Sequence, residues 1–347
     1  ALQGIGSAGV MSVNIALVRL IYPPNRLGRG VGLNALVVGL GSSLGPTVAS
    51  AVLSLGNWPW LFALNLPLGV LAWVLGSRDI PASRGQGHPV DTATAALSAV
   101  TFAALIFALS SAAQRAGWVT VMTTLALALV CGSLLLRRQA GHPAPMLPVD
   151  LFKRPLFALS AMTSACSFTV QGIAFVSLPF YLQTVLHRSA VETGLLITPW
   201  AVVVALAAPF AGRLSDRHAP GLLGGVGLAV LCVGMVSMAM LTPEASTADI
   251  VLRMVVCGAG FGFFQSPNLK ALMSAAPPER ASGASGIIAL ARLTGQTTGA
   301  ALATIIRFRV FKNSASYPIY FPIRCFHCEA KGISRNVLVS ISTNTKY

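Results

Sequence analysis

Ser12-Val13-Asn14-Ile15-Ala16-Leu17-Val18-Arg19-Leu20-Ile21-Tyr22-Pro23-Pro24-Asn25-Arg26 comes round again 254 residues later, as Ser266-Pro267-Asn268-Leu269-Lys270-Ala271-Leu272-Met273-Ser274-Ala275-Ala276-Pro277-Pro278-Glu279-Arg280. Ser-x-Asn and Pro-Pro-x-Arg recur in one register without a gap. Upstream, Gly4 and Gly6 meet Gly258 and Gly260; downstream, Gly32, Ala35, Leu36, Gly41 and Gly45 meet Gly286, Ala289, Leu290, Gly295 and Gly299. Glycine and alanine are abundant enough to match by chance, but two sparse motifs in a single register mark an internal repeat.

The solvent around that repeat follows from composition. The chain is 54% hydrophobic and only 10% charged, where a soluble domain carries roughly 25% charged residues. A bilayer tolerates an apolar exterior and penalises charge. A spanning helix needs about 20 mainly apolar residues, and ten such runs are legible, near 1–21, 31–53, 58–77, 92–113, 117–136, 156–183, 191–212, 220–241, 248–268 and 283–306. The fold class is therefore an all-α membrane protein with about ten transmembrane helices. From the first run to the ninth is a step of eight helices, an even number, so the copies share one orientation and imply two similar bundles related by a parallel repeat.

The formal charge of +15 is scattered between apolar runs and forms no continuous basic face, which argues for membrane lipid as the partner and against nucleic acid. In alternate connections Lys and Arg number thirteen on one side and three, Arg115, Arg188 and Arg253, on the other. The richer side is expected to be cytoplasmic. Cys131, Cys166, Cys232 and Cys257 fall inside apolar runs and read as packing residues. Cys325 and Cys328 make a lone CxxC with no second ligand pair, so no metal site is expected. The five histidines lie in loops or the tail, and no nucleophile elbow, HExxH or phosphate loop is present, which gives no support to an enzyme.

Gly41-Ser42-Ser43-Leu44-Gly45-Pro46 resembles the antiporter motif of the major facilitator superfamily, with Ala49 and Ser50 standing where that pattern carries glycines. Gly41 and Gly45 share a face and would allow close helix approach, while Pro46 would bend the helix. Trp58-Pro59-Trp60-Leu61-Phe62-Ala63-Leu64-Asn65-Leu66-Pro67-Leu68-Gly69 is similar to the start of helix 6 in the fourteen-helix drug:proton antiporters, with Asn65 and Pro67 expected inside the bundle. Gln3-Gly4-Ile5-Gly6-Ser7-Ala8 is similar to the end of that family's helix 4 motif. Gly212-Arg213-Leu214-Ser215-Asp216-Arg217 resembles the superfamily's cytoplasmic gate loop, in which Asp216, near the start of the next helix and paired with arginines, would latch the gate.

The resemblance implies major facilitator-type bundles and a chain running from helix 4 to helix 13: residues 1–77 as the rest of the amino-terminal bundle, 78–155 as two inserted helices with linkers, 156–306 as the carboxy-terminal bundle, and 307–347 as a basic, non-spanning tail unrelated to the fold. It implies a multi-pass protein of a plasma or bacterial inner membrane that exports hydrophobic or cationic drugs by alternating access, driven by the proton gradient and without a cofactor. The proton-binding acid is expected in helix 1, outside the sequence, and the chain alone is expected to be inactive. A structural or channel-type membrane protein and a non-functional truncated product are the alternatives. Intramembrane polar residues that could line a substrate cavity are Asn14, Asn34, Gln171, Asn268 and Arg292. A charge at the depth of Arg292 costs at least ~2.5 kcal/mol unless paired or hydrated, so its side chain should face protein or water.

Overall fold

The computed structural model describes residues 2–57, 59–79, 91–113, 117–139 and 149–313. In chain order the helices are α1 (Leu2–Ile21), α2 (Leu27–Leu55), α3 (Pro59–Ala63), α4 (Asn65–Asp79), α5 (Thr92–Ala113), α6 (Trp118–Gln139), α7 (Pro155–Thr184), α8 (Ala190–Ser215), α9 (Pro220–Ala239), α10 (Thr247–Ala275) and α11 (Ala281–Asn313). Eight helical runs among the described residues are long and apolar enough to cross a membrane, with α3 and α4 counted as one. The two remaining long helices, α2 and α11, have 29 and 33 residues. The described residues up to Arg307 form one compact unit. The helix expected to end near 306 continues to Asn313, and Cys325, His327, Cys328 and the rest of 314–347 lie outside the described residues, as does Trp58.

The repeat is visible as local geometry. Proline has no N–H to give a helix and disfavours helical backbone in the residue before it, so Pro-Pro stops the chain. Pro23 takes φ −65°, ψ 154° and Pro277 takes φ −63°, ψ 153°. Each is followed by a short 3₁₀ turn, Pro24–Arg26 or Pro278–Arg280. The turn closes when the Arg26 amide donates to the Pro23 carbonyl at 2.9 Å and the Arg280 amide to Pro277 at 3.0 Å. One sequence motif thus makes the same stop and restart at both places.

Other boundaries follow capping chemistry. Ser189 and Glu192 form a reciprocal capping box at the start of α8, and the Ser246 hydroxyl accepts from the Asp249 amide at the start of α10. Asp91 accepts from the Thr94 hydroxyl and amide ahead of α5, which holds its carboxyl down to about 2, and Arg138 of α6 bonds the same carboxylate. α5 and α6 pack chiefly on each other.

Small residues set the packing. α10 lies against α8 and α9, with Gly258 on Trp200, Gly260 on Leu231, Gly262 on Val204 and Gly227 on the Phe264 backbone. α7 and α11 close through Gly295 on Ala165 and Gly299 on Thr169. Large aliphatic side chains such as Leu195, Leu222 and Val233 point outward on the same helices, the exterior a lipid solvent calls for. Asn65 and Pro67 are also exposed. Asn65 satisfies its amide on the Leu61 carbonyl one turn back at 3.4 Å, so it needs no place inside the bundle.

Candidate functional site

α1, α2, α7, α8, α10 and α11 surround a cavity of about 250 Å³. Asn14, Asn34, Gln171, Asn268 and Arg292 all line it. Each amide is also tied across helices. Asn14 Nδ2 donates to Asn34 Oδ1 at 2.8 Å, Gln296 Nε2 to Gln171 Oε1 at 3.0 Å, and Asn268 Nδ2 to the Ser160 carbonyl at 3.1 Å and Ser164 Oγ at 2.7 Å. These bonds fix the amides as a rigid polar rim, since a buried amide without a partner would be costly. Arg292 lies with its guanidinium carbon 5.8 Å from the centroid of the Phe168 ring. Five aromatic residues, Phe168, Phe175, Trp200, Phe261 and Phe264, line the cavity among aliphatic and small ones, with Phe168 and Phe261 edge to face at 5.6 Å. Sequence reading missed this aromatic wall and Gln296. Gln296 carries a readable signal, since it follows Arg292 by one helical turn on the same face of α11.

Below the cavity, toward the Pro-Pro turns, Ile15, Leu27, Val31, Leu272, Met273 and Ile287 make a dry apolar plug. Beyond the plug sits Asp216. It does not stand at the start of the following helix, as the sequence suggested; α9 begins at Pro220 and is preceded by Ala219. Asp216 closes the end of α8 and reaches the first turn of α2, where its two carboxylate oxygens accept from the amides of Gly28 at 2.9 Å and Arg29 at 3.0 Å. Those amides have no partner inside their own helix and carry the positive end of its dipole. The charge partner is likewise different. Lys270 Nζ of α10, not Arg213 or Arg217, lies 2.7 Å from Asp216 Oδ1 and also donates to the Ser215 carbonyl. Arg217 is exposed and, with Arg26, Arg29 and Arg213, rims a shallow cleft around the carboxylate.

Gly212 makes this reach possible. A Cβ on Gly212 would overlap the Gly28 carbonyl oxygen, and one on Gly28 would overlap the Gly212 carbonyl; Gly32 rests on Ala208 and Pro209, and Gly39 on Ala205. The close approach of α2 therefore falls on Gly28, Gly32 and Gly39. Gly41 and Gly45, expected to allow close helix approach, have no heavy atom within 4 Å of a built Cβ among the described residues and take no part in the contact with α8. α2 remains helical through Pro46. Gly45→Ala is accordingly expected to leave the thermal unfolding midpoint of this chain in detergent unchanged or to raise it, since alanine is favoured over glycine at an open helix position by about 0.5–1 kcal/mol. Gly299→Ala, whose Cβ would overlap the Thr169 carbonyl, is expected to cost about 1–3 kcal/mol through overpacking. Equal shifts for the two variants would refute the contact assignment.

The profile of the Major Facilitator Superfamily matches residues 1–300. The chain is similar to the uncharacterized transporter YebQ of Escherichia coli (strain K12), 48% identical over 88% of this chain and 67% of that protein. It is 26% identical to the riboflavin transporter RibZ of Clostridioides difficile (strain 630), over 91% of this chain and 68% of RibZ. It is 30% identical to the multidrug resistance protein Stp of Mycobacterium tuberculosis, over 86% of this chain and 56% of Stp. The chain thus spans between about half and two thirds of the length of these relatives.

Proposed function

The chain belongs to the Major Facilitator Superfamily, a family of membrane transporters, and we propose that the whole protein exports hydrophobic small molecules by alternating access, driven by the proton gradient across a plasma or bacterial inner membrane. One observation carries the reading. The cavity is separated from the Arg-rich end by two stacked barriers, the apolar plug around Val31 and Leu272 and then the Asp216 latch on α2. A barrier of packed helix ends held by one ion pair and two helix-terminal hydrogen bonds is one that can open without unfolding a core. If the Arg-rich end is cytoplasmic, as the positive-inside rule implies, the arrangement corresponds to a state closed to the cytoplasm.

The cavity wall favours hydrophobic substrates over cations, the two classes the sequence left open, because its aromatic rings offer apolar area and its one charge is positive. No carboxylate lines it among the described residues. Proton coupling rests on the resemblance to drug:proton antiporters and on the drug-resistance name of a relative such as Stp. Domain assignment follows the same reading: residues 1–77 and 156–306 as the two bundles, 78–155 as an inserted hairpin with linkers, and 307–347 as a basic tail.

Cells expressing the whole protein should retain at least several-fold less of the hydrophobic dye Nile red than control cells, and a protonophore should abolish the difference. Equal retention in energised cells at verified expression would overturn the export reading.

A further inference from the structure

Hydrogen-bond bookkeeping inside the cavity is uneven. The amide carbonyls of Asn34 and Gln171 already accept from Asn14 and Gln296. The donors are less well served. Trp200 Nε1 and Ser285 Oγ are buried without a hydrogen-bond partner but are shut off from the cavity space, which leaves Arg292 as the donor group to consider. Arg292 is the only charged side chain on the wall among the described residues, and its contact is a ring face, which neutralises none of its charge. A guanidinium presents five N–H donors and no acceptor, and an indole presents one donor only. A buried donor left unbonded is costly, and a buried charge left unpaired more so.

We infer that the cavity selects aromatic organic anions, molecules with a planar apolar body and a carboxylate or equivalent acceptor group that engages Arg292. The inference rests on the transport reading only in taking this cavity as the substrate site. The walls fit both parts of such a molecule. Phe168, Phe175, Trp200 and Phe261 supply tilted and edge-to-face surfaces with centroids 5.5 to 6.3 Å apart, against which a planar ring packs. The guanidinium offers the bidentate fork that matches a carboxylate. A cation on the same scaffold would meet the aromatic faces but also the repulsion of Arg292 in a site of low dielectric.

The test is a charge series on one ring system: 2-naphthoate, 2-naphthamide and 2-naphthylmethylammonium, titrated against the purified whole protein in lipid nanodiscs and read by quenching of Trp emission. The anion should bind roughly ten-fold more tightly than the amide, the amide more tightly than the cation. Arg292→Gln should bring the anion and the amide to equal affinity while naphthamide binding is kept, and Arg292→Lys should restore part of the preference. Retained naphthamide binding shows that the variants are folded. Tightest binding of the cation, no measurable binding of any of the three, or an unchanged anion-to-amide ratio in Arg292→Gln would overturn the inference. Anion-selective binding together with Nile red retention equal to that of control cells would sink the export reading and leave this one standing.

Discussion

Gly212→Leu in the whole protein is expected to abolish transport while leaving membrane insertion intact. The reason is the identity of the neighbours. The built Cβ overlaps the carbonyl oxygen of Gly28 and lies 3.1 Å from the Cα of Gly32, and backbone atoms in the first turns of a helix cannot rotate aside as a side chain would. α2 and α8 must separate, and the Asp216 bonds to the Gly28 and Arg29 amides, 2.9 and 3.0 Å long, must break with them. Overpacking of this kind costs about 1–3 kcal/mol or more, comparable to the energy that holds a two-state barrier shut. The variant should therefore stay open at the Arg-rich end. With the native cysteines replaced, Cys131, Cys166, Cys232, Cys257, Cys325 and Cys328 included, a cysteine placed at Ala35, a buried residue of the cavity wall, should react with a maleimide added from the cytoplasmic side in Gly212→Leu and be protected in its parent. Equal protection in both, together with normal efflux, would show that this contact does not gate the cavity.

The same contact shows where sequence reading reached its limit. The repeat gave the helices and the Pro-Pro turns because proline and glycine act locally, through φ and a missing N–H. It also gave the polar residues of the cavity, because an amide or guanidinium within an apolar run has few places to go other than a protein interior. It could not give the glycine contacts, because close approach depends on the partner helix, which no single segment encodes. Gly4, Gly6, Gly41 and Gly45 meet nothing within 4 Å, whereas their repeat mates Gly258, Gly260, Gly295 and Gly299 are packed against Trp200, Leu231, Ala165 and Thr169. Those four partners belong to α7, α8 and α9, for which the repeat has no counterpart within residues 1–79. Gly32 and Gly286 reverse the pattern, with Gly32 packed on α8 and its mate open. Identical residues in one register thus take opposite environments. Asp216 was found for the right chemistry, an anion at a helix N-terminus, but on the wrong helix, since Gly28 lies 188 residues away in the chain. Lys270, its partner, is one basic residue in the last third of a long apolar helix, and only the tertiary fold distinguishes it from the arginines nearby.

Removing that carboxylate is expected to have the second large effect. Asp216 and Lys270 are 12% and 11% exposed, so neither charge has bulk water to fall back on. Breaking a buried pair by deleting one partner costs about 3–5 kcal/mol, mostly the penalty of the charge left behind. In Asp216→Asn the Lys270 ammonium keeps the Ser215 carbonyl at 2.7 Å but loses its counter-ion, and at most one of the two α2 amides keeps an acceptor. The latch should fail and efflux should drop by at least ten-fold, while α8, α9 and α10, which pack through Gly227, Gly260 and Gly262 away from this end, stay assembled. Lys270→Met alone should also lower efflux, since it leaves the carboxylate with only its two helix-terminal hydrogen bonds. The double variant Asp216→Asn/Lys270→Met separates stability from gating. It buries no unpaired charge, so its thermal unfolding midpoint should recover most of what Asp216→Asn loses. Its efflux should stay low, because an amide cannot replace a carboxylate that accepts from two amides at the positive end of α2. Efflux at the parent rate in well-expressed Asp216→Asn, or restored by adding Lys270→Met, would mean that the ion pair only holds the structure together and that closure depends on the apolar plug of Val31, Leu272 and Met273 alone.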